Sequence, residues 1–474
     1  MALTADEVST INRLALRHDG EIEELELLDR YYEGTQPLSY MHPEILREVN
    51  GRIRPVVIFW PQMAVDSIAE RLRIEGFKTG DQGLDRELWR VWCMNDMQIG
   101  MRMATTDALV MRRSYICVGT NEADPQTPLV TAESPLELYV ETDPRTRKGR
   151  AGLRRTADVD QTGSIVARYA TLYLPNETIW CTWDGGWKEV DRDVHNLGEL
   201  PIGSLVNRPR LRSSTRTPRS VTVERIGRSN LEAIIPLSDA ANKLATDMMV
   251  ASEFVAIPLR ALFGVGPESF VDNEGNPMSP LRAMMGRLLT IPDEEVNAFE
   301  FAAAQLANFT GALDTMAKTV ASVSGLPPHY LGMSSDNPAS AEAIAGSESR
   351  LATRAELTQD SLAPGPRHVV RLIRRFQTGS WDKDVDLVKV DWRNVRTPTV
   401  AAMADAALKL YTTAPTPIVP LRQTREGLGY DDTEIDAMEE EDEKAAAMSP
   451  AGQLARTVAD ARVPVTSGNP PAAA

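Results

Sequence analysis

Histidine and cysteine are scarce, with five and three among 474 residues. His18, His42, His195, His329 and His368 stand apart, none with a second histidine at metal-binding spacing, so no zinc centre is written in the chain. Cys93, Cys117 and Cys181 are odd in number and widely separated, which excludes a disulfide scaffold or zinc ribbon and leaves buried thiols as the expectation. The usual catalytic signatures are missing as well. GVGPES from Gly264 lacks the lysine of a phosphate loop, and no GxGxxG after a strand, HExxH, CxxC or GxSxG is present. Asp431, Asp432, Glu434 and Asp436 lack the glycine and twelfth-position glutamate of a calcium loop and read as a solvated acidic face. No apolar run is long enough to cross a bilayer, and the opening MALTADEVSTINRL is polar and amphipathic, the expectation being a chain made and kept in a cytoplasm.

What is present is ordinary globular material, 42% hydrophobic and 25% charged, in a chain long enough for more than one domain. Its net charge of −16 argues against a surface that grips a phosphate backbone as a whole, since such binding needs clustered cations. Two local basic segments, Arg208–Ser220 and Arg367–Phe376, read first as solvated or ion-paired faces.

Helical spacing dominates the opening: IEELELLDRYYEG carries a stripe of Ile22, Leu25, Leu28 and Tyr32, a helix after Pro61 is expected to end near Gly76, and another begins at Leu84. From Ala108 to Arg210, short Val-, Tyr-, Thr- and Trp-rich runs between turn residues predict strands, with an antiparallel meander over Ala170–Val190 turned at PNE and DGG. Trp180, Trp183 and Trp187 suggest a base or sugar platform, but sheet packing is the plainer expectation. A long helix follows, seamed by Leu237, Ala241, Leu244, Met248, Ala251 and Val255, and the glycines and prolines between Pro258 and Pro292 mark a small inserted module.

The organising stretch runs from Ala298 to Ser361. Phe299, Ala302, Leu306, Phe309, Leu313, Met316, Val320 and Val323 predict one helix face, Gly325, Pro327 and Pro328 stop it, and a polar turn over 333–338 leads to Asn337 and Pro338, which suit the start of a second helix. That second helix reaches Leu362 and is interrupted at PGP, residues 364–366. Further helices follow, the last acidic, and the sequence from Ser449 has too little bulky apolar surface to fold alone. Seams of this length suggest self-association, for which closed rings are a common solution.

The order AERLRIEGF, then HNLGELPIGSLVNR with GRSNLEAIIPLSDAANKLATDMM, then VSGLPPHYLGMSSDNPASAEAI resembles the portal proteins of tailed bacteriophages, specifically the siphophage gp6-like family. The resemblance implies an α+β subunit with a mixed wing over 1–235, a first stem helix over 236–256, a clip over 257–294 and a second stem helix over 295–330. It further implies a tunnel loop over 331–338, a long helix over 339–362, a helical crown over 363–448 and a flexible tail over 449–474. By the same resemblance, Ser334, Ser335, Asp336 and Asn337 would face DNA from the loop, and Asp239, Asp247 and Glu300 are candidates for a lumen-facing stem surface. Phe263, Glu268, Phe270 and Arg282 are candidates for clip docking.

The implied molecule is a homo-oligomeric ring, usually of twelve subunits, at one capsid vertex of a virion assembled in the host cytoplasm. Double-stranded DNA would enter and leave through it. The terminase large subunit and a head-completion adaptor would dock on the clip, and the major capsid and scaffold proteins would meet the wing. No cofactor, metal, membrane contact or catalysis of its own is implied. Two rival readings stay open: a metal-dependent nucleic-acid-processing enzyme built on converging carboxylates, and an oligomeric scaffold without a DNA pore.

Overall fold

The computed structural model describes residues 2–37, 56–210, 214–216, 222–224, 227–256, 260–263, 297–300, 306–332, 341–396, 400–412, 419–430 and 432–449. The chain divides into two compact units, Met1–Val395 and Arg396–Ala474.

The first unit opens with α1, Ala5–Glu33. Its start is fixed by a capping box: the Glu7 carboxylate accepts from the Thr4 amide at 2.7 Å while the Thr4 hydroxyl accepts from the Glu7 amide. Its end is fixed by Gly34 at φ +70°. The helix is longer than its apolar stripe implies, because the buried face alternates hydrophobic with charged and polar residues: Glu7, Ile11, Leu14, His18, Glu21, Leu25, Leu28 and Tyr31. Each polar member has a partner. Glu7 binds Arg192, Glu21 binds the fully buried Arg113, and the His18 Nε2 donates to the Pro135 carbonyl at 2.9 Å while Nδ1 accepts from Arg155. Arg13 and Arg17 both reach Glu141. Ion pairs and hydrogen bonds thus fasten α1 where an amphipathic helix would use leucine.

Next come α2 (Trp60–Ala69), β1 (Ile74–Lys78), α3 (Gln82–Met94) and α4 (Met97–Met111). The helix expected to run to Gly76 stops at Ala69; Ile74–Lys78 is instead a strand, paired antiparallel with Lys389–Trp392. That partner lies over three hundred residues away, so local spacing carries no trace of it.

The strands β2 (Arg113–Gly119), β3 (Leu129–Glu133), β4 (Leu138–Thr142), β5 (Gly149–Val159), β6 (Ile165–Tyr173), β7 (Thr178–Trp183), β8 (Trp187–Asp193) and β9 (Ile202–Val206) form two antiparallel sheets. One has the order β3-β2-β9 and the other is the meander β4-β5-β6-β7-β8. The meander turns at PNE and DGG, as the sequence indicates. Its inner face buries Leu153, Ala170, Leu172, Ile179 and Cys181 against Ile11 and Leu14 of α1. Trp187 packs at the edge of that core with Trp183 edge-on to it at 5.1 Å, whereas Trp180 and Trp183 remain 39% and 44% exposed. Sheet packing therefore holds for Trp187 and only partly for the other two.

Short strands β10 (Ser214–Arg216) and β11 (Thr222–Glu224) pair with each other and precede α5, Ile235–Ala256. Beyond it, β12 (Arg260–Phe263) and β13 (Asn297–Glu300) pair antiparallel, so the stretch expected to begin a helix at Ala298 is a strand, and α6 spans Ala307–Ser324. The cross-strand partner again overrides the three-four spacing of Phe299 and Ala302.

α7 (Ala341–Leu362) runs straight into α8 (Pro364–Thr378). The expected break at PGP is a junction: Ala363 keeps helical dihedrals (φ −52°, ψ −33°), and the prolines occupy the first turn of α8, where their missing N–H costs nothing. Gly365 explains the motif. Its backbone lies against β9 so closely that an added Cβ would sit 2.9 Å from the Ser204 carbonyl, and one on Gly203 would sit 2.7 Å from the Gly365 carbonyl. Val369, Val370, Leu372 and Ile373 then bury into the main core. Residues 363–395, grouped by the sequence reading with a helical region ending at 448, belong to the first unit; β14 (Lys389–Trp392) closes it by pairing with β1.

The second unit holds α9 (Val400–Thr412), α10 (Leu421–Leu428) and α11 (Asp432–Met448). The acidic α11 is held to α10 by Arg422, paired with Asp436 and Glu439, and by Arg425, paired with Asp442. Its carboxylates thus serve as helix-pairing groups as well as a solvated face.

Candidate functional site

α5 and α6 flank residues 257–306 and pack on each other. The first half of α5 is tied to the body by side chains that replace backbone partners: Asn242 Oδ1 accepts from the Ile58 amide at 2.8 Å and the Thr246 hydroxyl from the Val56 amide at 3.1 Å. Asp239 joins this set, accepting the Tyr31 hydroxyl at 2.9 and 3.0 Å. Burial and the adjacent carboxylate push the Tyr31 phenol up to about 12. Two turns beyond Asp239, Asp247 is held by Lys243 at 2.5 Å. The two stem carboxylates therefore differ: Asp239 is engaged with α1, and Asp247 is part of a half-exposed pair on α5.

α6 buries Ala317, Val320, Ala321 and Ser324 and ends at Gly325, whose φ of +73° allows the helix to close. A 3-10 turn, Pro328–Leu331, follows. Here the molecule builds an anchor. Tyr330 donates to Glu348 Oε1 at 3.1 Å, and Arg71, just past α2, reaches Glu348 Oε2 and the Tyr330 oxygen, each at 3.2 Å. A second guanidinium nitrogen of Arg71 donates to the Val395 carbonyl at 2.9 Å. The chain entering and leaving 333–340 is thus fastened to one cation of the body. Half-buried as all three side chains are, the charge-assisted bonds are stronger than their exposed equivalents.

Ser334, Ser335, Asp336 and Asn337 lie outside the described residues, as do Glu268, Phe270 and Arg282. Phe263 and Glu300 are placed by register, Phe263 opposite Asn297 and Glu300 opposite Arg260. Arg71, Tyr330 and Glu348 were not singled out by the sequence reading, although Arg71 and Tyr330 fall inside two of the motifs that carry the family resemblance; only their convergence marks them.

Three arginines of the basic helix α8 are engaged: Arg371 meets Asp386 and Glu199, Arg374 meets Asp382, and Arg375 donates to the Asn196 carbonyl. Cys117 and Cys181 are buried, and burial raises both thiols, that of Cys181 to about 11. Cys93 is half-buried beside Gln98. His329 is exposed, with its ring edge-on to Tyr330 at 4.9 Å. Among the described residues no three His, Cys, Asp or Glu side chains converge in a way that could hold a metal ion, and no helix is long and apolar enough to cross a membrane.

Comparison with known proteins agrees with the order of motifs. Residues 11–448 match the family model described as phage portal protein, SPP1 Gp6-like. The chain is 36% identical over 449 residues to the portal protein of Mycobacterium phage D29, covering 91% of this chain and 89% of that one. It is likewise 36% identical over 453 residues to that of Mycobacterium phage L5, covering 93% and 88%. Among solved structures, a chain of the virion of a native gene transfer agent particle aligns over 83% of this chain and 94% of its own, at 13% identity and a TM-score of 0.43. A chain from the neck of the empty particle, computed with C6 symmetry, aligns over 83% and 95% at 12% identity and 0.44. With the family model spanning nearly the whole chain and two full-length relatives above a third identical, this chain belongs to the SPP1 Gp6-like family of phage portal proteins.

Proposed function

We propose that the chain is the subunit of a homo-oligomeric ring, of twelve copies, at one vertex of the capsid, and that double-stranded DNA passes through its centre during packaging and ejection. Family membership supports the assignment, and the Arg71–Tyr330–Glu348 anchor is the observation that carries it to a mechanism. A segment that works against moving DNA needs a base that does not yield, and the anchor fixes both flanks of 333–340 to the folded body. In this reading Ser334, Ser335, Asp336 and Asn337 form the tip that meets the duplex, α5 and α6 form the wall, and 257–294 forms the clip, where Phe263, Glu268, Phe270 and Arg282 meet the terminase large subunit and later a head-completion adaptor. The sheet-rich part would face the major capsid and scaffold proteins.

The charge of the chain fits a conduit. The whole chain carries −16, and a wall lined with its carboxylates would repel phosphates and let DNA slide, whereas a basic wall would hold it through release of counterions. Asp247 and Glu300 would serve that wall; Asp239 would do so only with the oxygen capacity that Tyr31 leaves it. The role is structural, with the energy for translocation supplied by the docked terminase.

The test is mass and symmetry. Light scattering and particle images of the purified protein, with scaffold protein added if needed, should show closed rings with a central hole wide enough for a duplex. A protein that stays monomeric with scaffold present overturns the reading.

A further inference from the structure

A small cleft of about 220 Å³ opens beside the anchor, between the end of α6 and the middle of α7. Its floor is apolar, made by Ala321, Leu326 and Pro328, and its rim carries Lys318, Arg350 and the serines Ser322 and Ser347. Arg354, one turn after Arg350, crosses over Gly325 and donates to the Val323 carbonyl at 3.2 Å. Arg208, just beyond β9, completes the group. Burial, and then the charges of Arg208 and Arg350, hold the Arg354 guanidinium below its ordinary value, so both neighbouring cations act on Arg354.

Among the described residues, none of Arg208, Lys318, Arg350 or Arg354 makes an ion pair, in contrast to Arg371 and Arg374 of α8. Glu348, two residues before Arg350, is turned to Arg71 and Tyr330. Like charges gathered without counter-charge cost free energy, and in a chain with 67 acidic residues pairing them locally would have been easy. A carboxylate of a second copy would satisfy one cation at a time. A row of phosphates satisfies several at once, and the Ser322 hydroxyl can add a neutral hydrogen bond to the same oxygens, while that of Ser347 is already donated to the Ile344 carbonyl.

We propose that this cluster of Lys318, Arg350, Arg354 and Arg208 is a contact for consecutive phosphates of a DNA duplex, a local grip within an otherwise repelling wall. It deepens the conduit reading and rests on it for the identity of the polyanion. The grip is sequence-independent, because phosphates carry no base information.

The experiment is binding of a fluorescent duplex to the full-length protein as a function of salt, with the assembly state followed in parallel. The double variant Arg350→Gln/Arg354→Gln should bind at least about tenfold more weakly at low salt and flatten the plot of log affinity against log salt by roughly two, about one for each lost phosphate contact. Arg350→Lys/Arg354→Lys, which keeps both charges, should recover most of the slope, and Arg371→Gln, taken from an ion-paired arginine, should match the wild type. Equal affinity and slope in the Gln variant, or a wild type that binds no duplex, overturns the proposal. So does a Gln variant that loses self-association with DNA binding unchanged, which would assign the cations to a neighbouring copy. Failure of the conduit reading shows separately: a chain that forms no ring with scaffold, yet whose DNA affinity follows these charges, keeps the phosphate contact and loses the channel.

Discussion

The contact of Gly203 with Gly365 holds α8 on β9, and through the junction at Ala363 it also fixes α7, the helix that follows residues 333–340. Replacing Gly203 by alanine tests it. The added Cβ would lie 2.6 Å from Val369 Cγ2 and 2.7 Å from the Gly365 carbonyl oxygen, roughly 1 Å inside normal contact at both. Neither neighbour can give way easily. Val369 is fully buried, and the carbonyl belongs to the first turn of a helix whose other contacts, Val370, Leu372 and Ile373, are also fully buried. Over-packing of this kind costs about 1–3 kcal/mol, and a clash against backbone falls near the top of that range, about 3 kcal/mol. Urea unfolding of the full chain, followed by tryptophan fluorescence, should show a clearly lower midpoint. Gly20→Ala is the control: Gly20 is exposed inside α1 with nothing within 4 Å of an added Cβ, and should gain about 0.5–1 kcal/mol. A Gly203→Ala protein unfolding at the wild-type midpoint would refute the close-contact argument.

Burial beside Asp29 pushes Asp107 up to about 6, above its unfolded 3.8, so its ionised form weakens the fold above pH 6 and that penalty is relieved as pH falls toward 4; Asp107→Asn should raise the urea midpoint at pH 7, by on the order of 2 kcal/mol, with the gain vanishing near pH 4. His18 works in the opposite direction: burial holds it down to about 4, so the stability it lends as a neutral group is complete above pH 6.5 and is lost as pH falls toward 4. A His18→Asn variant should therefore show a shallower acid dependence between those values, whatever its stability at pH 7. Arg113→Ala strands Glu21 without its cation and should cost roughly 3–5 kcal/mol in urea unfolding, while Arg113→Met with Glu21→Met should cost clearly less. Arg71→Ala should leave the global midpoint within about 1–2 kcal/mol of wild type but raise amide exchange at Leu331 and Gly332 and in the first turns of α7, and unchanged exchange there would remove the anchor.

Periodicity was a good guide wherever one face is apolar throughout. α5 and the α6 seam over Leu313, Met316 and Val320 stand where the spacing puts them, as does the meander from β6 to β8. It failed where the partner is distant or polar. The first half of α1 hid because Glu7, His18 and Glu21 occupy core positions, and a polar residue in a stripe reads as its end unless its partner is known. β1 and β13 hid because ladder partners outweigh local spacing. PGP shows both sides: proline at the start of a helix is readable, but the need for a glycine between the prolines arises only from the approach of β9.

The family, the scarcity of catalytic chemistry and the acidic charge were settled by residue order and composition, which need no coordinates. Motif order survives in sequence because it records which segments succeed one another along the chain. What folding alone decided is where charges meet: that Arg71 ties Tyr330 to Glu348, that Arg371 and Arg374 of α8 pair with carboxylates, and that Lys318, Arg350, Arg354 and Arg208 gather with no carboxylate to pair them among the described residues. Electrostatic energy depends on separation in space, and residues as far apart in the chain as 208 and 354 acquire a separation only when the backbone folds.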